Sequence, residues 1–222
     1  MFTRKIYKKR ALESLKGRWE SAILVTFAVL LIEAAINAKN LTSYVKNSSA
    51  AFGKSSFFIL AVVYFVLGTL SLAETRFYIK LTSSRQELGF SVFIEGFSFW
   101  VKGFLSRLWS RLWIALWMCL FVIPGFVKAI AYSQMNYLLS DYPEMKVTQA
   151  MRISIIITRG HKTDLFFMYV SFLLWDILSL FTAGLLQLWV RPYKKTAFVY
   201  AYQFMVDQAL KNGNLDPQDF YN

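Results

Sequence analysis

The sequence predicts an all-α, polytopic transmembrane bundle of about six spans, and three observations predict it. Apolar stretches long enough to cross a bilayer alternate with polar segments. The Lys and Arg residues collect in every second polar segment, as they do when one set of loops stays in the cytosol. The chain of 222 residues is 56% hydrophobic, with 21 Phe, 12 Tyr and 7 Trp. That exceeds what a soluble core of this size needs and suits a surface that meets lipid and anchors at headgroups.

Arg4, Lys5, Lys8, Lys9, Arg10, Lys16 and Arg18 form a basic arm over residues 1–18. Ile6, Leu12 and Leu15 interrupt it at spacings that suit one face of a short surface helix. The arm is long for a secretory signal, and the apolar run behind it holds Glu33 and no small-x-small cleavage site, so a retained span is expected. That first span covers Trp19–Ala38, with Trp19 as interfacial anchor. A polar loop, Lys39–Ser55, leads to the second span, Ser56–Tyr78, whose Gly68, Ser71 and Ala73 offer a small face for close helix contact.

Beyond it, Phe93, Phe97, Val101, Phe104, Leu108 and Leu112 recur every three or four residues, with Glu95, Ser98, Lys102 and Ser106 on another face. This pattern predicts an amphipathic helix over 91–107 lying along the membrane. The third span, Leu108–Ile123, stops at Pro124-Gly125, which reads as a tight turn and less readily as a hinge lining a site. The fourth, Phe126–Ser140, holds Lys128, Gln134 and Asn136 and is expected inside the bundle. A second interfacial helix is predicted over 144–160, with Val147, Ala150, Met151, Ser154, Ile155 and Thr158 facing away from Lys146, Gln149 and Arg152. The fifth span, Asp164–Phe181, turns at Thr182-Ala183-Gly184 into the sixth, Leu185 to about Met205, where Arg191, Lys194 and Lys195 sit uneasily. If the fourth and sixth lie on the surface, four spans remain. Residues 1–210 form one bundle domain, and the polar tail 211–222 is expected to be loose.

Orientation follows from charge. The arm carries seven Lys and Arg, the Arg76–Arg111 connection six, the Asp141–Lys162 segment four and the tail one, eighteen on one side. The other side has three, Lys39, Lys46 and Lys54. Both termini are therefore expected in the cytosol.

A formal charge of +12 suits either nucleic acid or an anionic membrane surface. These charges flank apolar runs instead of gathering on one polar face, so membrane lipid, not nucleic acid, is the expected partner. Cys119 is the one cysteine and His161 the one histidine, which excludes an intrachain disulfide and a two-histidine zinc site. There is no phosphate-binding glycine loop, no Gly-x-Ser-x-Gly and no paired catalytic carboxylates, so neither an enzyme nor a cofactor is expected.

Glu33, Lys128, Asn136 and Asp176 are the candidate polar residues within the apolar spans. Groups at such depth face the interior and find partners. They line a polar pathway in one reading and form a structural pair, such as Lys128 with Asp176 or Glu33, in the other. His161 stands three residues before Asp164. A base held by a carboxylate is the sharper reading. Helix capping by Asp164, with His161 and Lys162 near lipid phosphates, is preferred, because no nucleophile accompanies them.

Three ordered strings resemble a known family. Ile123-Pro124-Gly125, Lys128-Ala129, Tyr132-Ser133 and Tyr137 resemble its central motif; Arg159-Gly160-His161-Lys162-Thr163-Asp164-Leu165-Phe166 is similar to a second, with Thr163 where Trp is usual; Leu188-Trp189-Val190-Arg191-Pro192-Tyr193 is similar to a third. Ala11-Leu12, Leu15-Lys16-Gly17 and Trp19 also fit, so the resemblance runs over nearly the whole chain. The family is the bacterial integral membrane family catalogued as domain of unknown function 975, with YciC-like proteins as loose relatives. The resemblance implies a multi-span helical protein of the bacterial cytoplasmic membrane and no particular reaction. Arg191, Lys194 and Lys195 depart from it, since members are more apolar there.

The expected function is that of a non-enzymatic envelope or transport-accessory protein contacting anionic lipid or another membrane protein. The alternative is a small transporter or channel with a polar site formed by Glu33, Lys128 and Asp176. A third reading is an intramembrane enzyme acting on lipid through His161 and Asp164.

Overall fold

Apolar segments poor in glycine and proline satisfy their backbone groups internally by coiling into helices. The computed structural model describes residues 2–46, 54–84 and 88–221, and the side chains of 2–36, 62–84 and 88–221. Among these residues the fold is all helical, with no strand. Among the described residues three helices are long and apolar enough to cross a membrane, over Trp19–Ile36, Val62–Ser83 and Lys162–Phe181.

Helix α1 (Arg4–Leu15) is short because Gly17, at φ 78°, turns the chain into α2 (Trp19–Lys46). It lies on α10 (Gln187–Lys211), buries Tyr7, Ala11 and Leu15, and is tied there by a hydrogen bond between Ser14 and Tyr200. Arg18 donates to the carbonyls of Leu81 at 2.9 Å and Ser84 at 2.5 Å, which pins the start of α2 to the end of α3 (Lys54–Ser83). Both ends of the expected loop Lys39–Ser55 are helical. Helix α2 continues to Lys46 and α3 begins at Lys54, while 47–53 lie outside the described residues.

Glycines allow close helix contact. A Cβ at Gly68 of α3 would stand 2.7 Å from the Gly103 carbonyl oxygen on α5 (Trp100–Leu120), and one at Gly96 would stand 2.5 Å from Ala73. Small residues thus let the two backbones touch, as Gly68 and Ala73 suggested. The helix expected over 91–107 is not a separate element. After α4 (Ser91–Glu95) and a 3₁₀ turn at Gly96–Phe99, α5 runs unbroken through 107 to Leu120. The tightened turn rotates the apolar stripe, so that Phe93 is buried while Val101, Leu108 and Leu112 face outward.

The expected break at Pro124-Gly125 also moves. A proline ring clashes with the carbonyl four residues earlier, which here belongs to Leu120. Helix α5 therefore ends at Leu120, Phe121 is extended, and Pro124 sits in the first turn of α6 (Val122–Tyr132), where a missing N–H is harmless. Gly125 packs against Met118 across this hairpin. Helix α7 (Met135–Asp141) continues from α6 after a turn at Ser133-Gln134. Helix α8 (Val147–Ile157) buries Ala150, Met151 and Ser154 together with Ile153 and Ile157, and it packs against α7 and α10, with Ser154 donating to the Ala131 carbonyl at 2.6 Å.

Helix α9 (Lys162–Phe181) turns through Ala183 (φ 50°) and Gly184 (φ 85°) into α10. The tail expected to be loose packs on the bundle at two points within 211–221. Leu215 and Phe220 are buried, Asp216 and Asp219 close a capping box, and Gln149 donates to the Asp219 carbonyl at 2.6 Å.

The two hairpin tips are apolar and bare: Ile123 is 78% and Phe181 83% exposed. No charged residue lies between Arg111 and Lys128 or between Asp176 and Arg191. Replacing Gly103 by Val, where a Cβ would meet Gly68 and Thr69 backbone atoms at under 3 Å, should destabilise the protein by about 1–3 kcal/mol through overpacking. A lowered melting midpoint of the detergent-purified protein reads this out, with outward-facing Val101→Ala unchanged.

Candidate functional site

Helix α10 brings three cations to one face, because Arg191, Lys194 and Lys195 are three and four residues apart. Each finds a carboxylate on another helix. Arg191 grips Glu74 of α3 through Nε (2.7 Å) and Nη2 (3.0 Å), and Glu33 of α2 through Nη1 (2.8 Å) and Nη2 (2.9 Å). Lys195 lies 3.1 Å from the second oxygen of Glu74. Lys194 meets Asp176 of α9 at 2.6 Å, and Gln187 donates to the other oxygen of Asp176 at 3.2 Å.

Three cations thus balance three anions. Glu74 is the most enclosed, with 1% of its side chain exposed. Desolvating an ion costs several kcal/mol, which only close, directional pairing offsets. The planar fork of Arg191, held by two carboxylates in paired hydrogen bonds, has that geometry. Helices α2, α3, α9 and α10 are joined in one register by this network.

The network walls a cavity of about 500 Å³. Glu33, Asp176 and Asn136 all line it, beside Arg191, Lys194 and Lys195. Asn136 bridges helices there, accepting from Ser106 at 2.7 Å and donating to Ser71 at 3.1 Å. Lys128 is elsewhere. It is half-buried over the Trp117 ring, 4.9 Å from the centroid, and pairs with no acid among the described residues. The expected grouping of Glu33, Lys128 and Asp176 is corrected in that member, and the cations of α10 take its place. The reason is geometric: Lys128 reaches an aromatic face on its own hairpin, whereas α10 lies against α2, α3 and α9.

The remaining motif residues lie outside this network. Gly160, at φ 86°, makes the turn before α9. His161 Nδ1 stands 3.7 Å from Asp164, too far for a hydrogen bond, and is buried without a partner. Its ring packs on Phe2 and Phe204 at 5.6 and 5.8 Å. Asp164 makes no side-chain cap bond, but it lies with half-buried Lys162 in the first turn of α9, where its charge favours the helix dipole. Pro192 is buried in α10, and Tyr193 sets its ring against Phe172 at 5.3 Å. Among the described residues no group of three or more His, Cys, Asp or Glu side chains could hold a metal ion.

Sequence reasoning missed Glu74 and placed Arg191, Lys194 and Lys195 as misfits. The signal was available. A cation triplet inside an apolar helix needs anions at matching depth, and Glu74 lies in the second apolar run just as Glu33 lies in the first.

Residues 119–208 match a family described as Protein of unknown function (DUF975), and the chain resembles that family over this region. The match takes in the end of α5 and nearly all of α6 to α10, with the three motif strings. It covers less than half of the chain, and the N-terminal strings around Ala11 and Trp19 lie outside it. No curated protein and no solved structure matches the chain.

Glu74→Gln leaves Arg191 and Lys195 short of a buried counter-charge and should destabilise the protein by about 3–5 kcal/mol. Glu33→Gln, at a side chain 32% exposed, should cost less. The double variant Glu74→Gln/Arg191→Gln should cost less than the sum of its parts. Melting midpoints of the purified variants measure all three, and strict additivity would contradict the network.

Proposed function

We propose that the chain is a multi-pass protein of the bacterial cytoplasmic membrane that crosses it about six times with both termini in the cytosol. It acts without chemistry of its own, in envelope maintenance or in accessory support of transport. Its basic face holds anionic lipid, and another membrane protein is the second occupant of that face. Nucleic acid is not a proposed partner.

The supporting observation is where charge is left over. The internal network cancels, so the whole surplus of +12 lies outside it. Arg4, Lys5, Lys9, Arg10 and Lys16 stand exposed along α1, and Lys146, Arg152 and Arg159 stand exposed around α8. The α1 residues sit at the end of the bundle opposite the bare tips, because Arg18 ties it to the end of α3 and Tyr200 holds it to the later part of α10. An uncharged end and a basic end are what a positive-inside membrane protein presents. Each Lys or Arg near an anionic leaflet adds about 1 kcal/mol of attraction.

A second reading rests on the 500 Å³ cavity, where Glu33, Asp176 and Asn136 share walls with three cations. Such a lining suits passage of a small charged solute or a proton. Proteoliposomes carrying an internal pH dye test it. A proton flux abolished by Asp176→Asn favours transport, and no flux above empty vesicles removes it.

For the leading reading, the protein is extracted from mixed phosphatidylcholine and phosphatidylglycerol vesicles and its retained lipid is measured. Phosphatidylglycerol should be enriched over the bulk ratio. The enrichment should fall several-fold when Arg4, Lys5, Lys9 and Arg10 are replaced by Gln. Lipid retained at the bulk ratio by the unaltered protein would refute the reading.

A further inference from the structure

Two arginines deep in α5 lack what the cations of α10 have. Arg107 and Arg111 are four residues apart, so they share a face. They lie seven and eleven residues beyond Trp100, hence about 10 and 16 Å along the helix from its start, which itself lies against Thr69 inside α3. Neither forms an ion pair among the described residues. Arg107 has the Tyr64 ring at 5.4 Å, and its Nε is buried with no hydrogen-bond partner. Cations at such depth are costly unless an anion or water meets them.

Both arginines line a cavity of about 350 Å³ between α5, α6 and α7. Ser110 and Ser133 add hydroxyls to the polar part of its wall, and no acidic side chain is among the described residues that line it. The rest of the wall changes character. Ile114, Met118 and Phe126 continue it along the hairpin toward the exposed apolar tip at Leu120–Ile123. One end therefore suits an anion and the other a hydrocarbon chain.

We propose that this cavity takes the phosphate of one membrane phospholipid, with Arg107 and Arg111 on the phosphate and an acyl chain along Ile114, Met118 and Phe126. Free phosphate shares the charge but leaves the apolar wall uncovered. The phosphate supplies the two arginines with the counter-charge that Arg191 finds inside the protein. The inference rests on the membrane placement proposed above and not on attraction to the arm, so it adds a discrete site to a diffuse surface.

The test uses the full chain in neutral detergent. Native mass spectrometry counts bound dioleoylphosphatidylglycerol, and competition uses dioleoylglycerol, which has the same chains without phosphate, and inorganic phosphate. The protein should hold one phosphatidylglycerol that neither competitor displaces. Arg111 is exposed, so Arg111→Gln keeps the packing, and it should bind about tenfold more weakly, the loss expected for one charge-assisted hydrogen bond. Arg107→Gln/Arg111→Gln should hold none, and a monodisperse elution profile with unchanged helicity certifies that it is folded. Unchanged binding by Arg111→Gln, displacement by dioleoylglycerol or displacement by inorganic phosphate would each overturn the proposal. The arm variant separates the two readings. If it alone loses the single bound lipid, the pocket is refuted and surface attraction stands. If it keeps that lipid but shows no change in overall enrichment, the pocket stands and the surface reading falls.

Discussion

One guanidinium joins three helices. Arg191 of α10 reaches Glu33 of α2 and Glu74 of α3 at once, and Lys195 and the Lys194–Asp176 pair extend the link to α9. Apolar helices packed in an apolar solvent have little to choose between one rotation and another, since lipid is as greasy as leucine. A buried carboxylate does have a preference, because a wrong rotation leaves it desolvated and alone. Fixing register is among the better-attested uses of such buried polar groups. On this account the network selects one arrangement of α2, α3, α9 and α10 out of several that would bury similar area. It also places the walls of the 500 Å³ cavity.

Close packing serves the same end by other means. Gly68 and Gly103 let α3 and α5 touch at the backbone, and Gly125 lets α6 fold onto Met118. Those contacts bring Ser71, Ser106 and Asn136 within hydrogen-bond reach, a neutral bridge beside the charged one. The two cavities share Ser71, Ser133 and Asn136 in their walls. A ligand seated at Arg107 and a rearrangement at Arg191 would therefore meet through the same short set of side chains.

Much of the helical order was legible from apolar length alone. Trp19, Asp164 and the Thr182–Gly184 turn fall close to where periodicity and turn chemistry put them. Errors came where a local rule has an offset or where a partner lies far along the chain. Proline acts four residues upstream, so the break belongs to Leu120-Phe121 and not to Pro124-Gly125. The stripe from Phe93 to Leu112 looked continuous because a 3₁₀ turn leaves no strong mark in the sequence. The tail reads as polar, yet Leu215 and Phe220 suffice to dock it, with the Tyr142 ring tilted against Phe220 at 4.6 Å. Glu33 and Asp176 were visible as charges out of place, but their partners on α10 lie 158 and 18 residues away, and no spacing rule connects them.

The central claim is that the uncharged hairpin tips and the basic end face opposite sides of a bilayer, with the charge network between them. Cysteine labelling tests it most directly, because Cys119→Ser removes the chain's one thiol. Arg10→Cys, Lys211→Cys and Lys46→Cys are then placed one at a time and treated with a membrane-impermeant maleimide. Positions 10 and 211 should react only in inverted vesicles, and position 46 only in right-side-out ones. Equal labelling of all three from a single side, or recovery of the unaltered chain in the soluble fraction after alkaline extraction, would contradict the account.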